Sequence, residues 1–247
     1  MLSVSKLPAI GMARLPRYFS PAVPLHVVQR GNDREALFAD THDYWHFREC
    51  LLDAAQRHGL AIHAYVFKTN HFHLLATPAH AGSVGKTLQS IGRRYVQHFN
   101  VRYGRTGPRW DGRYRATAVD SDAYLLACYR YIEMNPVRAQ MVDHPRRFCW
   151  SSYRHNADGN TDELVTPHSL YLQLGRQPDE CRAAYRALFE RQLDETTLAD
   201  IRLATNTGWA LGGEEFQREV ERLTRRRAAP LARGRRPRLP DAVEVVW

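Results

Sequence analysis

Two histidines separated by one residue, His71 and His73, are the first pair of side chains whose spacing points to chemistry. In a β-strand, residues two apart project from the same face, so both imidazoles can bind one metal ion. Phe72, between them, would then point into the core. A chance pair among the twelve histidines of the chain gives the same spacing. His42 and His46, which lie among ordinary surface-helix residues, are interpreted as such a chance pair.

A second candidate set has helical spacing. It consists of Tyr124, Cys128, Tyr131 and Asn135. Intervals of four, three and four residues place these side chains on one stripe of a helix. The hydroxyl of Tyr131 and the amide oxygen of Asn135 can then reach a single metal-centred site. An amphipathic tyrosine at the rim of a core gives the same pattern, and Pro136 disfavours helical geometry at the residue before it.

Arginines interleaved with aromatic residues form a third feature, in the segment 104–115 and on the helix predicted before it. Because cations contact phosphates and rings stack on unpaired bases, this composition is typical of single-stranded nucleic-acid binding. A solvated basic face with Trp110 as its anchor is the alternative. The candidate contacts are Arg30, Lys86, Arg93, Arg94, Arg109, Trp110, Arg113 and Arg115.

The charge distribution adds a C-terminal region to these candidates. The chain of 247 residues has a formal net charge of +9, and residues 222–239 contain eight arginines and no acid. Such a segment suits a polyanion, most often nucleic acid, and a solubilising disordered tail has the same composition. We include Arg225, Arg226 and Arg227 among the candidate nucleic-acid contacts.

Composition excludes several classes of protein. Hydrophobic residues make up 44% of the chain, which is enough for a buried core and excludes wholesale disorder. No apolar run approaches the ~18 residues of a membrane span, and the first residues lack the apolar core of a signal peptide. The four cysteines are far apart and form no C-x-x-C motif, which argues against a cysteine zinc site. We therefore expect a cytoplasmic protein with no membrane partner.

Hydrophobic periodicity predicts the elements that must position these side chains. The predicted strands cover residues 25–30, 61–67, 71–77 and 114–119. The predicted helices cover about 41–58, 122–135 and a long stretch from Gly82–Gly85 to about 103. Strands joined by the short turn at 68–70 are antiparallel. The order β-α-β-β-α-β-α matches an α+β fold, a ferredoxin-like split βαβ antiparallel sheet with an extra helix.

The composition of the chain changes after Trp150. Residues 156–163 are polar and predict a loop, and three short helical patterns follow at about 167–174, 179–192 and 213–226. We therefore divide the chain into four parts. They are an N-terminal extension (1–23), the main α+β domain (24–155), a small helical DNA-binding appendage (156–228) and an Arg-rich disordered tail (229–247).

Four motifs in this order resemble the single-tyrosine HUH transposases, and among them the REP-associated tyrosine transposases (RAYT proteins). The motifs are N-H-F-H-L-L at 70–75, G-R-R-Y at 92–95, R-W-D-G-R-Y at 109–114 and Y-I-E-M-N-P-V-R-A at 131–139. The resemblance covers about residues 12–155 and extends more loosely into the appendage. It implies the HUH endonuclease fold for the main domain.

The resemblance also implies a role for each matching residue. His71 and His73 would bind the metal, Asn135 would be the polar third ligand, and Tyr131 would be the nucleophile. Tyr129 is a competing tyrosine that projects to a different side of the helix. The implied ion is Mg²⁺ or Mn²⁺.

The implied activity is that of a metal-dependent single-strand DNA endonuclease and strand transferase. Such a transposase cuts near hairpin-forming repeats through a 5′-phosphotyrosine intermediate. Its partner would be single-stranded or hairpin DNA. The sequence is also compatible with a homodimer. Two other functions also stay open: a hairpin-binding DNA or RNA module without catalysis, and a metal-dependent phosphohydrolase in which water is the nucleophile.

Overall fold

The computed structural model of the chain describes residues 20–230. Most of the predicted N-terminal extension and of the predicted tail lies outside the described residues. The strands are β1 (Leu25–Arg30), β2 (Leu60–Lys68), β3 (His71–Pro78) and β4 (Arg115–Ala118). The helices are α1 (Thr41–His58), α2 (Ser83–Arg102), α3 (Ser121–Glu133), α4 (Asn135–Arg138), α5 (Tyr153–Asp158), α6 (Ser169–Leu172), α7 (Pro178–Ala187), α8 (Glu195–Thr207) and α9 (Glu214–Thr224).

The four strands form one antiparallel sheet in the order β2-β3-β1-β4. This order confirms the predicted α+β fold with a split βαβ sheet. The hairpin of β2 and β3 turns tightly at Thr69–Asn70, and β1 lies beside β3 so that Val28 faces His73 across the ladder. The register therefore places His73 beside Val28 and His71 beside Arg30 and Lys68, at the end of the two neighbouring strands.

Each face of the sheet packs against its own layer of helices. Phe72 and Leu74 point to the face covered by α1 and α2, as predicted. His73 lies on the opposite face, which carries α3 and helices from the C-terminal half of the chain. Helix α1 starts at the predicted residue because the Asp40 side chain accepts a hydrogen bond from the backbone N–H of Asp43.

Helix α8 was not predicted from the sequence, although its boundaries are marked. Asp194 caps its N-terminus by accepting from the N–H of Thr197, and Gly208 ends it in the left-handed region with φ 73°. Its buried stripe includes Leu198 and Ile201. Threonines interrupt this stripe and have low helix propensity, so the helix depends on tertiary packing for its stability.

The structure corrects two further boundaries. The predicted helix 122–135 ends at Glu133, and Asn135 starts the separate short helix α4, in which Pro136 takes an early position that needs no N–H. The predicted loop 156–163 is wrong in its first part, since α5 extends to Asp158 and ends at a left-handed Gly159.

The C-terminal helices are tied to the main sheet through a buried acid. Both carboxylate oxygens of Glu133 accept hydrogen bonds, from Ser152 Oγ (2.6 Å) and Asn156 Nδ2 (2.8 Å) on one oxygen and from the Tyr185 hydroxyl (2.7 Å) on the other. Burial raises the pKa of Glu133 to about 7. The division of the chain at 155/156 stays a prediction. Within residues 20–230, no helix is long and apolar enough to cross a membrane.

Candidate active site

A cleft of about 840 Å³ opens on the α3 side of the sheet. Residues of β1 and β3, the segment 111–116, helix α3 and the C-terminal end of α8 form its walls. The predicted site residues that line it are Arg30, His71, His73, Arg113, Arg115, Tyr131, Asn135 and Arg226. Side chains from three distant parts of the chain therefore meet at one surface.

The four residues expected to carry catalysis lie next to one another. The imidazole centroids of His71 and His73 are 5.2 Å apart, and the His73 ring lies 6.2 Å from the Tyr131 ring in an edge-on arrangement. The Nδ2 atom of Asn135 lies 3.4 Å from His73 Nε2. Strand alternation sets the first pair, and the helix break at Met134 carries the amide of Asn135 back toward the sheet.

The donor atoms fit a divalent ion. Two imidazole nitrogens and one amide oxygen are the kind of mixed donor set that suits Mg²⁺ or Mn²⁺. The amide nitrogen of Asn135 lies 3.4 Å from His73 Nε2 while its oxygen accepts from Lys68, so ligation by Asn135 requires its amide to turn the oxygen toward the ion. Burial lowers the pKa of His71 to about 4, with a smaller contribution from the charges of Lys68 and Arg30. Burial also holds the pKa of His73 well below 6.5. Both imidazoles are thus neutral at pH 7, the form that binds a metal.

Lys68 is a site residue that sequence reasoning missed. Its Nζ donates to Asn135 Oδ1 at 2.9 Å, and burial together with Arg138 and Arg30 lowers its pKa. The β2–β3 register pairs Lys68 with His71. The predicted hairpin could have identified Lys68, because the last residue of its first strand faces the first residue of its second strand.

Of the two competing tyrosines, Tyr131 alone lines the cleft. The guanidinium of Arg138 lies over its ring, with Cζ 4.3 Å from the centroid, and also donates to the carbonyl of Tyr131. Tyr129 is fully buried beside Tyr171 and Tyr185, and burial raises its pKa. A DNA phosphate in the cleft is therefore within reach of the first tyrosine only.

His26 is the second residue that sequence reasoning missed. It is 1% exposed, and its Nε2 lies 2.9 Å from His73 Nδ1. Its Nδ1 lies 3.1 Å from the hydroxyl of Thr205 on α8. Alternation along β1 was the available signal, because His26 shares the sheet face of Val28, the ladder neighbour of His73.

Arginines from several elements line the walls of the cleft. Arg30, Arg113 and Arg115 are exposed, and Arg115 also donates to Asn206 Oδ1 at 2.9 Å. Arg226 reaches in from the end of α9, is 7% exposed and donates to the carbonyl of Gly208. Arg202 on α8 is an exposed member of this wall that the sequence analysis did not select.

The other predicted nucleic-acid contacts lie outside this cleft. Lys86, Arg93 and Arg94 are on α2, across the sheet, and Arg94 forms an ion pair with Asp53. Arg225 and Arg227 are exposed at the end of α9.

Two residues of the basic segment have structural partners. Arg109 is 4% exposed, pairs with Glu35 at 2.7 Å and stacks over Phe99. Its guanidinium is thus buried and already paired, which speaks against a phosphate contact. Trp110 is partly buried against Phe72 and borders a smaller groove beside α2.

One further group of metal-type ligands occurs within residues 20–230. Ligand atoms of His42, Asp43 and His98 lie within 4.8 Å of one another. The guanidinium of Arg102 donates to Asp43 Oδ1 at 2.9 Å and to His42 Nδ1 at 3.0 Å. A cation therefore already occupies the acceptors of Asp43 and His42, which makes this pair part of a salt-bridge cluster.

Comparison with known proteins agrees with this geometry. Residues 20–135 match the family described as "Transposase IS200 like". The structure of a REP-associated tyrosine transposase bound to a REP hairpin is similar, with a TM-score of 0.52 and 19% identity over 64% of this chain and 96% of that chain. At this identity the likeness concerns the fold.

A more distant structure is that of a Deinococcus radiodurans R1 protein classed as a transposase. It has a TM-score of 0.34 and 18% identity over 49% of this chain and 96% of that chain. No curated protein sequence matches the chain. Residues 20–135, which carry the whole sheet, His71, His73 and Tyr131, match the IS200-like Y1 transposases, a family of HUH DNA nucleases.

Proposed function

We propose that the protein is a metal-dependent single-strand DNA endonuclease and strand transferase that cuts near hairpin-forming repeats. One observation carries this proposal: Tyr131, His73 and Asn135 meet in a cleft walled by arginines. Tyr131 is the proposed nucleophile, and His71, His73 and Asn135 are the proposed ligands of Mg²⁺ or Mn²⁺. The bound ion would polarise the scissile phosphate.

The side chains around Tyr131 suit nucleophilic attack. A tyrosine hydroxyl is a weak nucleophile at neutral pH and needs activation by the groups around it. The Arg138 guanidinium over the ring supplies positive charge at 4.3 Å. In the proposed step the Tyr131 oxygen loses its proton and bonds to phosphorus. The P–O3′ bond then breaks, and the leaving 3′-oxygen takes up a proton.

The product of this step is a 5′-phosphotyrosine and a free 3′-hydroxyl. Because one phosphoester replaces another, a second 3′-hydroxyl can reverse the reaction on a different strand. Cutting and rejoining then need no nucleotide hydrolysis. In the alternative, a phosphohydrolase, water would take the place of the tyrosine.

The charged walls support DNA as the substrate. Arg30, Arg113, Arg115, Arg202 and Arg226 surround the proposed catalytic group, and a strand in the cleft would pass among them. The exposed arginines at the end of α9 are proposed to contact the hairpin stem. The similar RAYT structure is bound to a REP hairpin. This substrate fits the expected cytoplasmic location. The proposal is compatible with either a monomer or a homodimer.

A covalent-trapping gel tests the proposal. The protein is incubated with Mn²⁺ and a labelled oligonucleotide that carries a hairpin and its single-stranded flank, and is then denatured. We expect a labelled band shifted by the mass of the protein that disappears with EDTA and with Tyr131→Phe. Tyr124→Phe is the matched control, since Tyr124 lies on the same helix and donates to Asp200.

Two other outcomes would overturn the proposal. Retardation of hairpins in native gels without any covalent band would favour a binding module. Cleavage that leaves no adduct and persists in Tyr131→Phe would make water the nucleophile.

A further inference from the structure

Helix α8 is joined to the proposed metal site by a chain of hydrogen bonds that has no assigned role. The chain runs from Ile201 through Thr205 and His26 to His73. Each of the three side chains is less than 10% exposed. Because a buried polar atom needs a partner of the right kind, the direction of every proton in this chain can be deduced.

The first link fixes the hydroxyl of Thr205. A carbonyl oxygen can only accept, and the hydroxyl lies 2.6 Å from the carbonyl of Ile201. The single hydroxyl proton therefore points to that carbonyl. Thr205 Oγ1 must then accept a hydrogen bond from His26, so His26 carries its proton on Nδ1.

The second link determines which ring nitrogen of His73 carries the proton. His26 is buried, and its two partners are a hydroxyl and an imidazole rather than an acid, so the ring is neutral. A neutral imidazole with its proton on Nδ1 has a lone pair on Nε2. This Nε2 lies 2.9 Å from His73 Nδ1, which must therefore be the donor. His73 is left with a lone pair on Nε2.

An independent contact on the other side of His73 gives the same answer. The ammonium group of Lys68 can only donate, so the Asn135 amide atom at 2.9 Å is the oxygen. The amide nitrogen of Asn135 then faces His73 Nε2 and donates to it, at 3.4 Å. Both ends of the network thus require that His73 Nε2 accepts.

We propose that Thr205 and His26 form a relay that fixes the tautomer and ring orientation of His73, so that its Nε2 lone pair is presented to the metal. Both are positioning residues, since each acts on the proposed metal ligand set through His73. The inference depends on the proposed function only in taking His73 as a metal ligand. It makes α8, outside the main domain predicted from the sequence, a required part of the site.

The tautomer is tested by NMR on the metal-free protein. Long-range ¹H–¹⁵N correlation spectra of histidine-labelled protein distinguish a proton on Nδ1 from a proton on Nε2. We expect the Nδ1–H form for both His26 and His73, with signals assigned by their loss in His26→Phe and His73→Gln. A His73 ring protonated on Nε2 would overturn the proposal.

Metal affinity gives the second readout. Partners of a ligand that set its orientation typically change metal affinity about tenfold or more when removed. We therefore expect Thr205→Val to weaken Mn²⁺ binding, measured by the EPR signal of the free ion, by about tenfold. Thr205→Ser, which keeps the hydroxyl, should bind as the unmodified protein does.

A matched control separates the relay from the docking of α8. Thr117 faces His26 across the β1–β4 ladder, and its buried hydroxyl donates to Ala204 of the same helix but to no histidine. Thr117→Val should leave Mn²⁺ affinity unchanged. Equal losses in Thr117→Val and Thr205→Val would show that α8 only packs, and would overturn the proposal.

The direction of the relay is tested by replacing its middle residue. The amide of His26→Gln can accept from His73 and donate to Thr205, so we expect it to retain Mn²⁺ binding. His26→Phe fills the space without these groups and should lose about tenfold in affinity. Unchanged affinity in a folded His26→Phe would overturn the inference.

None of these measurements uses DNA. A protein that shows the expected tautomer and affinities but forms no covalent adduct would refute the proposed function and support the relay.

Discussion

The two faces of the sheet are buried to a similar degree but are built from different chemistry. The face under α1 and α2 is apolar, with rings such as Phe47, Phe67 and Phe72 in contact. The face under α3 and α8 buries His26 and His73 in a hydrogen-bonded network. An apolar face needs only volume and shape, whereas a polar face needs a specific partner for each donor and acceptor.

This difference explains why helices of the C-terminal half supply hydrogen-bond partners to the polar face. Helices α1 and α2 cover the apolar face with residues that periodicity alone identifies. On the polar face, Thr205, Tyr185 and Asn156 come from α8, α7 and α5 and satisfy groups of the sheet and of α3.

On the apolar face, the cost of a substitution should follow the lost volume. Phe47 is fully buried, and Phe47→Ala should lower the free energy of unfolding by about 3–5 kcal/mol through lost burial and a residual cavity. Trp45 lies on the same helix but is 53% exposed, so Trp45→Ala should cost less than about 1 kcal/mol. Urea unfolding measures both, and equal losses would contradict the assignment of this core.

On the polar face, the loss in free energy of unfolding should depend on how many hydrogen-bond partners a substitution removes. Glu133→Ala leaves the donors of Ser152, Asn156 and Tyr185 without an acceptor and should cost about 2–3 kcal/mol. Glu133→Gln keeps an oxygen for the first two and an amide for Tyr185. The glutamine variant should therefore be the more stable of the two in urea unfolding. The reverse order would show that volume, as on the other face, decides stability here.

Stability on the polar side should also depend on pH. Burial lowers the pKa of His63 from 6.5 to about 4 while its ring bonds to Thr166 and Thr77. Below pH 6.5 the unfolded chain binds a proton that the folded protein excludes. The contribution of His63 is therefore complete above pH 6.5 and is lost as the pH falls through about 4.

His63→Gln isolates this contribution, because its amide can keep both hydrogen bonds but does not titrate. Removing one such group should reduce the acid loss of stability by up to about 1.4 kcal/mol per pH unit between these limits. Urea unfolding at several pH values measures the slope. A slope equal to that of the unmodified protein would exclude His63 as a cause of acid sensitivity.

The smallest expected difference between the two faces is in DNA affinity, because each arginine contributes a single phosphate contact. Arg202 lines the cleft, whereas Arg93 is exposed on α2 across the sheet. Arg202→Ala should lower affinity a few-fold and reduce the slope of log affinity against log salt by about 0.7, the value for one contact with a single strand. Arg93→Ala should change neither. Equal effects in a salt titration would extend the DNA path around α2.

Much of the fold was predictable because its signals are local. Hydrophobic patterning and turn residues predicted β1 and β3, and the Asp40 cap and Gly59 marked both ends of α1. The same periodicity placed Phe72 toward the core and His71 and His73 on the other face. The candidate ligands and Tyr131 follow from these local patterns together with the family motifs.

Only the tertiary structure decided which further side chains join the site. His26 is 47 residues from His73 and 179 residues from Thr205, so no local pattern connects them. The structure also removed Arg109 from the exposed cations, because folding brings Glu35 to it.

The sequence by itself determined the periodicity of each element, hence the strands, the first two helices and the chemistry available to the site. It did not determine the partners of buried polar atoms. Hydrophobic burial is non-directional and depends on local pattern, whereas a hydrogen bond requires two atoms at a fixed distance and angle. For His73 these atoms come from strand β1 and helix α4, and behind them from helix α8, and packing alone brings the three together.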